Sequence, residues 1–335
     1  MIVYSADCDT RLSDYGILIP LKYNKAEKVY KMLCDGCMKN IPTESWLYTP
    51  KTVPATKETL LLCHTKRFVE SLFSDSLENE LFRIYELINA DGSYNRYDPT
   101  IAKKPFQNLL NEILTGVQVG IEASEIALKT GFAYFLGGGA HHAMADYGAG
   151  FCIVNDVVII AKYLQHKKLA KNIWIIDVDA HKGDGTAFLT HGDNTIKTLS
   201  IHMKDGWPLN EPQYDENGNF NPSWTDSDID IGIASGEELE YVPRLQSALL
   251  KMKTQYEKPD IAIIVGGVDP YEKDELLSTN LLKLTSKTLL ERDMLVYDFF
   301  KAEKIPQLHL MAGGYGAHSW EIYVNFLEKV LKAKN

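Results

Sequence analysis

Histidines and carboxylates crowd together at two places in this chain. One is the run Leu136-Gly-Gly-Gly-Ala-His141-His142, and the other is Asp177-Val-Asp179-Ala-His181-Lys-Gly-Asp184. Side chains two apart in an extended segment point to the same side, so Asp179 and His181 can serve one ligand. Asp269, in Gly266-Gly-Val-Asp269-Pro, would complete an Asp-His-Asp set. Three protein ligands that leave positions open mark a catalytic zinc site, although oxygen-rich ligation also suits iron or manganese. The plainer alternative, hydrogen-bonding loop residues, leaves buried carboxylates without compensation. His141 and His142 then have acid/base work to do. A histidine beside a divalent ion can take a proton from water and return it to a leaving amine. Such a histidine is held at its other nitrogen by a carboxylate, and Asp177 and Asp184 are not needed as ligands. Tyr315, in Gly313-Gly-Tyr315-Gly, can donate to a developing oxyanion, and its flanking glycines let the backbone approach.

The elements must bring these residues to one place. Short apolar runs at 132–136, 173–178, 195–202, 260–265 and 307–311 read as strands. Longer amphipathic stretches at 22–40 (Ala26, Val29, Tyr30 and Leu33 at helical spacing), 56–74, 105–129, 155–168, 237–257, 279–301 and 318–334 read as helices, with Gly131 ending the third. Residues 75–104 read as loop with short helices, and 203–235 as a long surface excursion. Strand and helix alternate, so the expected fold is a single α/β domain over 1–335. Its doubly wound, mainly parallel sheet is flanked by helices, with long loops at the carboxyl rim of the strands. Ligands in such sheets bind beyond that rim, where four strand ends deliver the histidines, aspartates and tyrosine.

The chain has 335 residues, 45% of them hydrophobic, enough for a large core. A net charge of −10 argues against nucleic acid or an anionic membrane as partner. Five scattered cysteines suit a reducing, cytoplasmic setting, and Cys34-Asp-Gly-Cys37 alone is a weak metal motif. The sequence contains no signal-peptide pattern and no apolar run of spanning length. His64, His166, His191, His309 and His318 follow no ligand spacing.

The site motifs, with Gly150-Phe151-Cys152-x-x-Asn155-Asp156, resemble the histone deacetylase superfamily, which includes acetylpolyamine amidohydrolases and acetoin-utilisation-like proteins. The resemblance spans residues 136–316 in the family's order and is loose over 1–100. It implies the arginase-deacetylase fold and one zinc ion per chain on Asp179, His181 and Asp269. It implies His142 as general base paired with Asp184, and His141, paired with Asp177, as electrostatic partner or proton donor. Tyr315 would polarise the acyl carbonyl. Phe151 would wall the acyl-lysine tunnel and Gly150 floor it, with Trp207 opposite and Asp98 gripping the substrate backbone at the rim. A structural potassium ion would use Asp177, Asp179, His181, Ser200 and Ile201. Two departures stand out. Lys182 replaces a second His or Gln, and Leu276, with Glu275 beside it, occupies the place of the glutamate found in polyamine-selective members. The implied substrate is an acylated lysine, or alternatively an acetylpolyamine or other acylated amine. Rival readings are an arginase-like dimanganese ureohydrolase and a binding protein for acylated amines without turnover. The sequence carries no reading of oligomeric state.

Overall fold

A computed structural model of the chain describes residues 1–20 and 24–332. Eight strands form one sheet: β1 (Ile2–Val3), β2 (Leu47–Tyr48), β3 (Phe132–Phe135), β4 (Ile173–Asp177), β5 (Ile196–Met203), β6 (Ile229–Ile233), β7 (Ile261–Val265) and β8 (Gln307–Leu310). Their order is β2-β1-β3-β8-β7-β4-β5-β6, and every neighbouring pair is parallel. Of the four middle strands, β3, β7 and β4 are apolar along nearly their whole length because both sheet faces are covered, and β8 carries Gln307 and His309 on one face. Alternate residues serve opposite cores. Tyr134, Ile176 and Ile264 pack on one side with α1 (Lys25–Asp35), α8 (Tyr241–Gln255), α9 (Ser286–Ala302) and α10 (Ser319–Lys332). Phe135, Ile175 and Ile263 pack on the other with α3 (Lys66–Leu72), α4 (Leu77–Ile84), α5 (Phe106–Thr130) and α6 (Asp156–His166). Each fully buried aliphatic side chain contributes roughly 1.5–3 kcal/mol.

The register sets the chemistry. Phe135, Leu310, Val265 and Asp177 lie in one line across β3, β8, β7 and β4. The four loops that bear candidate residues therefore start from one level, at the middle of the sheet.

The expected parallel α/β fold is observed, with local corrections. The helix expected over 56–74 is two, α2 (Lys57–Leu60) and α3, because Thr65 caps a new start by accepting the Phe68 N–H. The excursion 203–235 contains β6, an edge strand whose Ile229 and Ile233 are buried while its middle is half-buried. β1 and β2, two residues each, carry too little pattern to read. The helix expected from 279 begins at Ser286, where Thr285 accepts the Thr288 N–H. The helix expected over 22–40 spans Lys25–Asp35, and residues 22–23 and 333–334 of the two terminal helices lie outside the described residues. Gly131, at φ 80°, ends α5 as expected.

Candidate active site

The His-His loop follows β3 and is held from α6. Asp156, in the first turn of α6, accepts the Gly139 N–H at 3.0 Å and the Ala140 N–H at 2.7 Å. Gly138 has φ 77°, and a Cβ there would collide with the Asp156 carboxylate, so glycine is required on both counts. Asn155 caps α6 through its side-chain oxygen on the Val158 N–H, and its amide nitrogen donates to the carbonyls of His141 and Ala143. His64 joins in from another element: its Nε2 accepts the Asn155 N–H at 3.0 Å and its Nδ1–H donates to the Met144 carbonyl at 2.9 Å.

These contacts present two imidazoles side by side, ring centroids 3.9 Å apart and both buried. His141 Nδ1 lies 2.6 Å from Asp177 Oδ2, and His142 Nδ1 lies 2.7 Å from Asp184 Oδ1, at the start of α7 (Asp184–Thr190). Each Nδ1 meets a carboxylate, so each carries a hydrogen and each Nε2 is left for chemistry. The second oxygen of Asp184 accepts the Ser223 hydroxyl at 2.6 Å. The two histidines differ electrostatically. Burial and the charge of His141 hold His142 down at about 4. Burial also opposes charging of His141, but Asp177 and Asp179 outweigh it and raise His141 to about 9. His142 is thus neutral near pH 7, and a cation beside it would only strengthen that state.

Among the described residues, Asp179, His181 and Asp269 form one buried cluster whose donor atoms come within 4.8 Å of one another. His181 Nδ1 is 3.3 Å from Asp179 Oδ1 and 3.2 Å from Asp269 Oδ2, yet Asp269 Oδ2 is buried without a hydrogen bond. The remaining carboxylate oxygens face backbone. Asp269 Oδ1 accepts the Ala180 N–H, and Asp179 Oδ2 accepts the Gly313 N–H. An orphaned buried carboxylate oxygen, two carboxylates against one imidazole nitrogen, and the mixed O/N donor set fit a divalent ion. Arg292 of α9 fastens this region from below, donating through Nη1 to the carbonyls of Val178 and Gly267 at 2.9 Å each. Asp177 also faces Ser200 across β4 and β5, and Ile201 follows it, so the residues expected around a monovalent ion are neighbours. Lys182 is buried and lies 3.1 Å from Asp230 of β6.

A cavity of about 160 Å3 opens over the cluster, lined by Phe151, Trp207, Leu276, Tyr315, Arg96 and Glu86 among others. It meets a larger one of about 250 Å3 that continues past the histidines toward Lys25 and Glu112. Trp207 stands edge-on to His142 at 4.4 Å and His181 at 5.5 Å, and Gly150 lies beneath it. Leu276 lines the cavity, whereas Glu275 turns away to accept the Ala317 N–H at 2.9 Å. Phe151 meets Tyr315 at 6.5 Å. Burial, followed by the charges of Asp269 and Asp179, raises the Tyr315 hydroxyl well above its ordinary value, so it stays a donor.

Asp98, expected to grip the substrate backbone at the rim, is half-buried and caps a short turn. Its carboxylate is spent locally on the Thr100 N–H and hydroxyl, and it does not line the cavity. The charged groups at the mouth are Arg96 and Glu86, paired at 2.8 Å, both at positive φ, with Arg96 over the Phe151 ring. Ser223, Arg292, Arg96 and Glu86 had not been singled out. Only the polar, turn-rich composition around 75–104 and 203–235 hinted that those segments shape a rim.

The histone deacetylase domain matches residues 19–330. Histone deacetylase 2 of Arabidopsis thaliana is 26% identical over 98% of this chain and 78% of its own length. An uncharacterized protein of Picosynechococcus is 34% identical over 62% of this chain, and the match spans 64% of its length. The acetoin utilization protein AcuC of Staphylococcus aureus is 35% identical over 56% of this chain and 46% of its length. The fold is shared with the HD domain of HDA15, at TM-score 0.71 and 16% identity over 98% of this chain and 90% of that one. It is also shared with an HDAC homologue from Aquifex aeolicus, at TM-score 0.68 and 22% identity over 99% of this chain and 83% of that one.

Proposed function

Since the chain belongs to the histone deacetylase domain family, we propose that it is a zinc-dependent amide hydrolase that removes an acetyl or short acyl group from an amine, most plausibly the side chain of an acyl-lysine. The observation that carries this reading is the pair of buried imidazoles, each bonded at Nδ1 to its own aspartate, beside the Asp179-His181-Asp269 cluster. A binding protein would have no use for two histidines held at such different basicities.

One divalent ion on Asp179, His181 and Asp269 would supply Lewis acidity to the acyl carbonyl and to an attacking water. The acyl chain enters between Phe151 and Trp207, with Leu276 at the mouth. His142, neutral and steadied by Asp184, takes a proton from the water at Nε2 as its oxygen adds to the carbonyl carbon. The Tyr315 hydroxyl donates to the oxygen on which charge develops. His141, held cationic by Asp177, stabilises that charge. The C–N bond then breaks, the amine leaves with the proton that His142 accepted, and the carboxylic acid is the second product. A monovalent ion, potassium, would sit among Asp177, Asp179, His181, Ser200 and Ile201 and stiffen the β4 loop.

The apolar Leu276, with Glu275 turned away, favours lysine over polyamine substrates. The test is acetate release from acetyl-lysine peptides, longer acyl-lysines and acetylpolyamines, with chelator and zinc add-back. Chelator-sensitive release from acetyl-lysine peptide is expected, with one zinc per chain. Tyr315→Phe should lower turnover by roughly a hundredfold or more. Absence of release from every acylated amine, or a dinuclear manganese centre, would overturn the proposal.

A further inference from the structure

Tyr315 must hold its hydroxyl in place from a loop that is poor at holding anything. Its neighbours are glycines, two of them at positive φ, Gly314 at 135° and Gly316 at 85°. The loop is therefore fixed from outside. The Tyr323 hydroxyl donates to the Gly313 carbonyl at 2.6 Å, the Lys25 ammonium to the Gly314 carbonyl at 3.3 Å, and the Gly316 N–H donates to the Pro20 carbonyl at 2.8 Å. The Tyr315 N–H itself goes to Asp274 Oδ2 at 2.7 Å. The other oxygen of that carboxylate accepts the Leu276 N–H at 2.9 Å and faces the Thr279 hydroxyl at 3.4 Å. One half-buried side chain thus joins the loop of the hydroxyl donor to the loop of the tunnel wall.

We infer that Asp274 is the positioning residue for Tyr315, its carboxylate holding the Tyr315 and Leu276 amides in one arrangement and so fixing the hydroxyl over the Asp179-His181-Asp269 cluster. This rests on the proposed amide hydrolysis for its consequence, but not for its geometry. A carboxylate suits the place because both of its oxygens accept. Asparagine would present one accepting oxygen and one donating nitrogen to two N–H groups, so one of them must lose its partner. Asp274 neither lines the cavity nor belongs to the Asp179-His181-Asp269 cluster. Its effect is transmitted through the placement of another group, where a shift of an ångström can cost about a hundredfold in rate.

The test is a double-mutant cycle read in kcat and KM on an acetyl-lysine peptide. Asp274→Asn should lower kcat by about tenfold to a hundredfold, the scale of a lost hydrogen bond to a charged group, with KM changed less than about twofold. In a Tyr315→Phe background the same change should alter kcat by less than about twofold, because the hydroxyl it positions is gone. Asp274→Glu, which keeps the charge and displaces it, should show the same pattern at smaller size. Equal losses in both backgrounds would overturn the inference. A second readout needs no turnover. In protein labelled with 3-fluorotyrosine, the Tyr315 resonance, identified by its loss in Tyr315→Phe, should shift and sharpen in Asp274→Asn as the side chain gains freedom. An unmoved resonance overturns the inference whatever the enzyme's activity. A moved resonance in a protein that hydrolyses no acylated amine sustains the positioning and defeats the proposed function alone.

Discussion

At the scale of single residues, two adjacent histidines with like partners are unlike in basicity. His141 is paired with Asp177 and faces Asp179 at 3.7 Å, and its pKa is raised to about 9. His142 is lowered by burial and by that neighbouring charge, to about 4. A base must be unprotonated, so His142→Ala should cost about a hundredfold to ten-thousandfold in turnover, and His141→Ala distinctly less. Steady-state rates with acetyl-lysine peptide decide the matter, and equal residual activity would reassign the base. Ser223 belongs to the same account. Its hydroxyl draws on Asp184 at 2.6 Å. Without it the carboxylate is more basic, and it favours the charged form of His142. Ser223→Ala should therefore move the acid limb of the kcat/KM profile to higher pH and lower kcat/KM by roughly threefold to tenfold. An unmoved limb would detach Ser223 from the base.

At the scale of elements, the site depends on how α6 begins. Asn155 caps the helix, receives support from His64, and donates to the carbonyls of the His-His loop. Asn155→Ala removes the cap and the donor to the Ala143 carbonyl, while the His141 carbonyl keeps the Thr186 N–H. The change should cost about 2–4 kcal/mol in urea melts and depress activity with it. The strands that carry the site were legible because β3, β4 and β7 are apolar on both faces and the loops after them and after β8 bear His, Asp or Tyr. β1 and β2 were not, being two residues each, and β6 was not, being set among turn residues. Thr65 reads as one polar residue within a long helical pattern, but its hydroxyl caps the start of a new helix. The Asp179-His181-Asp269 set, the histidine pair, its carboxylates Asp177 and Asp184, and Tyr315 could be named from spacing, and Trp207 from resemblance. Ser223, Arg292 and Asp274 act through contacts between distant segments, for which a single sequence has no local signature. A turn-capping aspartate such as Asp98 and a substrate-gripping one look alike in a sequence until their neighbours are known.

At the scale of the whole molecule, acid is the stress to expect. Burial lowers His64 to about 4 and His309 to about 3 from an ordinary 6.5. Both are neutral in the fold and charge readily once it opens. The unfolded chain therefore binds more protons below pH 6.5, and stability that is complete above that value is lost as pH falls toward the folded values. His64 alone accounts for on the order of 3 kcal/mol of this slope. Asp274 and Asp9, which burial raises to about 7 and about 6, take up protons in the fold over the same range and oppose this, so the histidine contribution is read as a difference: between pH 7 and pH 5 the urea midpoint of His309→Leu should fall less, or rise more, than that of the unchanged protein. An identical slope would clear His309 of the effect.

The order of strands has a consequence in time. β8 lies between β3 and β7, and it is the last strand the chain reaches. Until residues 307–310 are in place, the sheet exists as two halves, one bearing the histidine pair and the other the Asp179-His181-Asp269 cluster. Each half then exposes an unpaired edge, β3 on one side and β7 on the other, open to pairing with the wrong chain. The two halves of the site therefore meet only once residues 307–310 are seated. The same insertion that joins the sheet also marks the nascent protein's most aggregation-prone interval, which ends only when the central strand is seated.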